Sequence, residues 1–158
     1  MLEWTTASAL ASKADEVDIF TAVERKNLRE LKRILKNDPL AARRTDCWGR
    51  TALMLACVEG DESLARLLLP LSDPKASDRD GETALMLASF GHPACVELLL
   101  PVSDVRGQDE DGWTALMWAM SSGSPRCVEL LLHSDGALVA LAGTAPGRAP
   151  GRPSAPSD

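Results

Sequence analysis

Few side chains in this sequence stand where chemistry would need them. Four cysteines, Cys47, Cys57, Cys95 and Cys127, invite a disulfide or a zinc site. None of them forms the closely spaced Cys pair that structural zinc favours. The two histidines, His92 and His133, are isolated from any nucleophile or ligand partner in the sequence. Most of the carboxylates fall in turn-like stretches, where they read as solvated caps rather than as a paired acid and base. No glycine-rich phosphate loop, dinucleotide fingerprint or nucleophile elbow is present. These residues predict no enzyme, no metal and no cofactor.

What the sequence does carry is repetition. Gly-x-Thr-Ala-Leu-Met occurs at Gly49–Met54, Gly81–Met86 and Gly112–Met117, with Thr51, Thr83 and Thr114 spaced 32 and then 31 residues apart. Three consecutive leucines keep the same beat at Leu67–Leu69, Leu98–Leu100 and Leu130–Leu132. Self-similarity at this period implies stacked copies of one small unit, none of which buries its apolar face alone.

Each copy begins with an Asp–Gly turn (Asp46/Gly49, Asp78/Gly81, Asp109/Gly112), suited to one residue at positive φ. The following threonine is a natural N-cap. Leu53, Ala56 and Cys57, like Leu116, Ala119 and Met120, then give the spacing of a short helix face. Gly60, Gly91 and Gly123 end that helix. A second helix restarts at Asp61, His92 or Ser124, with Pro93 and Pro125 at the first helical position. It runs into the leucines, and Pro70 and Pro101 terminate it. A degenerate copy precedes these, with Ile19, Ala22, Leu28, Leu31, Ile34 and Leu35 at core positions and Lys26 in place of the glycine. Its second helix carries Arg29, Glu30, Lys32, Arg33 and Lys36, a polarity suited to an end cap. Helices stacked about 8–10 Å apart hold Cα atoms beyond the roughly 7 Å reach of a disulfide. Cys95 and Cys127, equivalent positions in successive copies, are therefore read as small buried hydrophobes.

These residues resemble ankyrin repeats, whose units run near 33 residues with Thr-Pro-Leu-His in the first helix. The resemblance covers residues 17–136, in units at about 17–48, 49–80, 81–111 and 112–136. It implies an all-α repeat solenoid of four helix-turn-helix units with β-turn or hairpin loops. Three departures stand out. Ala52, Ala84 and Ala115 replace the family's proline. Met54, Met86 and Met117 replace its histidine, so flexible methionine packing must stand in for threonine–histidine hydrogen bonds. The third unit is one residue short between Thr83 and Gly91, which predicts a local irregularity in its first helix or cap.

The resemblance also implies that a protein partner docks on the concave side, built from loop tips and the ends of the first helices. The positions that map there include Trp48, Arg50, Glu59, Arg79, Asp80, Glu82, Phe90, Glu110, Asp111 and Trp113. Acidic groups predominate, and the rings add the kind of surface enriched at interface hot spots. The expected partner is a protein with a basic or mixed segment and apolar anchors. For Trp48 and Trp113 two readings stand open: anchor for a partner, or packing on the neighbouring hairpin. Trp118, which replaces Leu55 and Leu87, is read as core.

Charge and composition narrow the classes further. A net charge of −6 argues against nucleic acid and against anionic membrane surfaces. Aromatic content of 4% means that Leu, Ala, Val and Met build the core. No run approaches the about 20 apolar residues of a spanning helix, and Met1–Trp4 lacks a signal-peptide pattern. A cytoplasmic protein is expected, with secretion as an effector by a route needing no such signal left open. Residues 1–16 are expected to extend the first unit as a helix. Residues 137–142 are apolar and the rest to Asp158 is rich in Pro, Gly and Ala, a disordered composition. The outer face of the last unit is then either covered by 137–142 or left apolar, which opens oligomerisation through that end. The function expected is an interaction module acting as adaptor, inhibitor or effector. The alternative is a scaffolding fragment of a larger protein without activity of its own.

Overall fold

The computed structural model describes residues 18–135. The expectations for 1–16 and 137–158 lie outside the described residues. Among the described residues eight α-helices follow one another in pairs: α1 (Ile19–Glu24) and α2 (Leu28–Asn37), α3 (Ala52–Val58) and α4 (Glu62–Leu68), α5 (Ala84–Ser89) and α6 (Pro93–Leu99), α7 (Ala115–Ser122) and α8 (Pro125–Asp135). Short 3₁₀ turns at Pro39–Arg43 and Leu69–Leu71 close the first and second pairs. Pro70 thus sits inside a tightened last turn rather than directly ending the helix.

The inner helices α1, α3, α5 and α7 stack in a row, and the outer helices lie against them from one side. An inner helix flanked by neighbours on two faces and an outer helix on a third must be apolar almost all round. Accordingly every residue from Ala52 to Cys57 and from Ala84 to Ser89 is buried. The outer helices bury one stripe, such as Leu64, Ala65 and Leu68 in α4, or Cys95, Val96 and Leu99 in α6.

The caps form as the residue types dictate. Thr51, Thr83 and Thr114 accept from the backbone N–H of Met54, Met86 and Met117 through their hydroxyls. In two units the methionine reciprocates: Met54 Sδ accepts from Thr51 N–H at 3.3 Å and Met86 Sδ from Thr83 N–H at 3.5 Å. A thioether here takes the place of the Glu or Gln of a capping box. The compensation expected from methionine is therefore a polar contact as well as packing.

In the first unit Lys26 adopts φ of 51°, the left-handed conformation that glycine takes elsewhere, and among the described residues it is the one non-glycine to do so. The short third unit absorbs its missing residue at the end of α5, which has six residues against seven in α3, and in the cap that follows. Gly91 stands at φ of 143°, against 67° at Gly60 and 69° at Gly123, while α5 and α6 keep their places in the stack.

Cys57, Cys95 and Cys127 are buried free thiols and Cys47 is exposed. Cys57 lies against Cys95, and that hydrogen bond together with burial holds the Cys57 thiol well above its ordinary value. At the last unit Met120 is 47% exposed, whereas its counterparts Cys57 and Ser89 are fully covered by a following unit.

Candidate functional site

Each Asp–Gly turn folds into a small hairpin. Asp46 N–H donates to Arg50 O, Asp78 N–H to Glu82 O and Asp109 N–H to Trp113 O. The aspartate side chain then accepts from backbone N–H groups inside the loop: those of Trp48 and Arg50 at Asp46, and those of Asp80 and Glu82 at Asp78. Gly49, Gly81 and Gly112 take φ of 82°, 77° and 79°, which lets the hairpin turn without strain. Neighbouring hairpins are tied by one backbone bond at each of two junctions, Arg79 N–H to Trp48 O at 3.1 Å and Glu110 N–H to Asp80 O at 3.0 Å. Three hairpin tips are thereby set side by side.

The residues expected at a partner surface fall into two groups. Exposed ones are Trp48, at 43%, with Glu59, Arg79, Asp80, Glu110 and Asp111. Glu59 pairs with Lys26 at 3.4 Å, linking the ends of the first two inner helices.

The others turn inward. Arg50, expected at an exposed tip, is 7% exposed. Its guanidinium pairs with Asp46 Oδ2 at 2.9 Å and lies 4.7 Å from the centre of the Trp48 ring, so its charge is engaged within its own hairpin. Phe90 is half-buried and meets Trp118 edge-on, with centroids 6.2 Å apart at 73°. Trp113 is half-buried against the core, and its indole N–H is buried without an acceptor among the described residues. Packing on neighbours therefore accounts for the position of Trp113, while Trp48 keeps an open face. Trp118 is core, at 1% exposure, and its indole N–H donates to Asp109 Oδ2 at 2.9 Å. That bond ties the last described inner helix to its own hairpin.

Glu82 is the electrostatic centre of the tips. Desolvation, followed by the negative charges of Asp78, Asp80 and Asp109, pushes its carboxyl up from 4.5 to about 7, against the pull of Arg50. Asp78 is raised too, mainly by burial. A sequence shows these as scattered acids; only stacking brings Asp109 of the next hairpin within range of Glu82. A cation arriving here would meet accumulated negative charge at a half-buried position, the arrangement that recognises Lys or Arg. Among the described residues no group of His, Cys, Asp and Glu is arranged to hold a metal. No helix among them is long and apolar enough to cross a membrane.

Comparison with known proteins agrees with this architecture. The family model for ankyrin repeats (three copies) matches residues 19–107 and 71–141. A photoreceptor ankyrin repeat protein of Homo sapiens is 45% identical over 53 residues, which cover 32% of this chain. The chain spans 12% of that relative's length.

Proposed function

Because the chain belongs to the ankyrin-repeat family, whose repeats are generally protein–protein interaction modules, we propose that its concave side binds a protein partner through a basic or mixed segment with apolar anchors. The observation that carries this reading is the row of exposed carboxylates on consecutive tips, Asp80, Glu110 and Asp111, set beside the half-buried Glu82. The open face of Trp48 offers the apolar contact next to it. Arg50 braces its tip from beneath, and the half-buried Phe90 and Trp113 leave only part of their rings for the partner.

The role is that of an adaptor, inhibitor or effector acting by occupancy, with no catalysis in the chain itself. The match to a small part of a longer relative supports a second reading, a scaffold segment within a larger protein. Four free cysteines fit a reducing compartment, which supports the proposed cytoplasmic location.

The test compares the native chain with a Trp48→Ala, Asp80→Ala, Glu82→Ala variant in affinity capture from native cells, circular dichroism confirming that both fold. A partner recovered by the native chain and lost with the variant supports the concave site. Equal recovery by both sinks it, as does binding that is indifferent to both salt and the Trp48 change.

A further inference from the structure

Charge is not spread evenly over this molecule. Residues 25–44 hold Arg25, Lys26, Arg29, Lys32, Arg33, Lys36, Arg43 and Arg44 against only Glu30 and Asp38, in a chain whose net charge is −6. A cap that only needs solubility mixes its signs; here one sign dominates. Arg29, Lys32 and Lys36 of α2 are exposed and carry no ion pair among the described residues. Lys32 and Lys36 lie one turn apart on the same stripe as Leu28.

Beside that stripe runs a groove between the outer helices α2 and α4, of about 400 Å³, lined by Leu28, Lys32, Glu62, Ser63, Arg66 and Leu67. Leu28 and Leu67 are half-buried, so the floor is apolar, while the rim carries Lys32 and Arg66 against the single carboxylate of Glu62. Its volume is within the range of natural ligand clefts. Arg66 is held by Glu62 one turn away. An exposed pair of this kind contributes little, so an incoming carboxylate displaces it at small cost.

We propose that the α2–α4 groove docks an acidic segment of a partner protein, with a leucine-sized anchor on Leu28 and Leu67 and flanking carboxylates on Lys32, Lys36 and Arg66. Charge complementarity selects the acidic segment. The apolar floor separates a peptide from nucleic acid or lipid headgroups, whose phosphates have no use for it. This surface is built on the outer helices from none of the acidic hairpin-tip residues, and it takes a ligand of opposite sign. The two sites therefore stand or fall separately.

The probe is a fluorescein-labelled peptide of Asp and Glu carrying two leucines four residues apart, titrated with the full chain and followed by anisotropy at low salt. Binding is expected to weaken at least about tenfold in Lys32→Glu/Lys36→Glu, each lost charge contact slowing association and loosening the complex. It should weaken similarly when the peptide's leucines become serines. An Asp80→Ala/Glu82→Ala chain should bind as the native chain does, which separates this groove from the concave site. Circular dichroism of each variant checks the fold. The proposal is overturned if the peptide does not bind or if charge reversal leaves affinity unchanged. It is overturned equally if the leucine-free peptide binds as well, or if phosphatidylserine vesicles or RNA bind with the same dependence on Lys32 and Lys36 and the peptide does not.

Discussion

Replacing Glu82 by glutamine should stabilise the protein at pH 8 and leave its stability near pH 4.5 almost unchanged. In the folded chain the carboxyl is pushed from 4.5 to about 7 by desolvation and by Asp78, Asp80 and Asp109. Between these two pH values the folded state holds a proton that the unfolded chain has released, so stability falls as pH rises through the window. Above about 7 both states are ionised and the loss is complete. At about 1.4 kcal/mol per pH unit, the interval bounds the effect near 3 kcal/mol. Water reaching a half-buried side chain reduces that to about 1 kcal/mol. Glutamine keeps the shape and abolishes the titration. The variant should therefore unfold about 4 °C above the native chain at pH 8, a shift that shrinks towards zero near pH 4.5. Thermal denaturation of both proteins at the two pH values reads this directly, and taking the difference cancels most titrations that the proteins share. A gap that is the same at both pH values, or larger in acid, refutes the argument.

Other substitutions probe the hairpins and caps. A Cβ at Gly81 would meet Glu110 N at 2.9 Å with φ at 77°, whereas at Gly112, with φ of 79°, it meets nothing within 4 Å. Gly81→Ala should thus cost about 2–3 kcal/mol and Gly112→Ala only about 1 kcal/mol in urea unfolding. Trp118→Phe removes the indole bond to Asp109 Oδ2 and leaves a half-buried acceptor short of a partner, a loss of about 1–3 kcal/mol by the same assay. Lys26→Gly should stabilise by up to about 1 kcal/mol in thermal unfolding, because a left-handed residue loses its Cβ strain, while only an exposed ion pair to Glu59 is lost.

Period, caps and core faces could be read from residue types, because each depends on neighbours close in the chain. The threonine caps, Pro93 and Pro125 at helix starts, the burial of Trp118 and the irregular cap at Gly91 all belong to this class. What could not be read depends on side-chain direction or on the next unit. Arg50 occupies a tip position yet folds inward, since Asp46 and Trp48 offer it a closer partner than solvent does. The thioether caps look like mere apolar substitutions until Met54 Sδ is seen facing Thr51 N–H. Glu82 becomes unusual only once the fold buries it beside Asp78 and Asp80 with Asp109 of the next hairpin in range, and Cys57 only once Cys95 of a later helix lies against it. The groove between α2 and α4 likewise joins residues thirty or more positions apart, from Lys32 and Glu62 to Leu28 and Leu67, and no local pattern announces it.

The extended cap at Gly91 behaves as an expansion joint. The residue missing from the third unit is taken up in a shorter α5, six residues against seven in α3, and in the wide φ of Gly91, where even an added Cβ would meet nothing within 4 Å. Downstream, α7 still packs on α5, and Ser122 still reaches Ser89 O across the joint at 3.4 Å. A length change confined to this point leaves the spacing of the stacked helices untouched. Repeats of this kind can therefore gain or lose a residue at the inner-helix cap without reshaping either surface, so the length of a unit and the pitch of the array are free to drift apart.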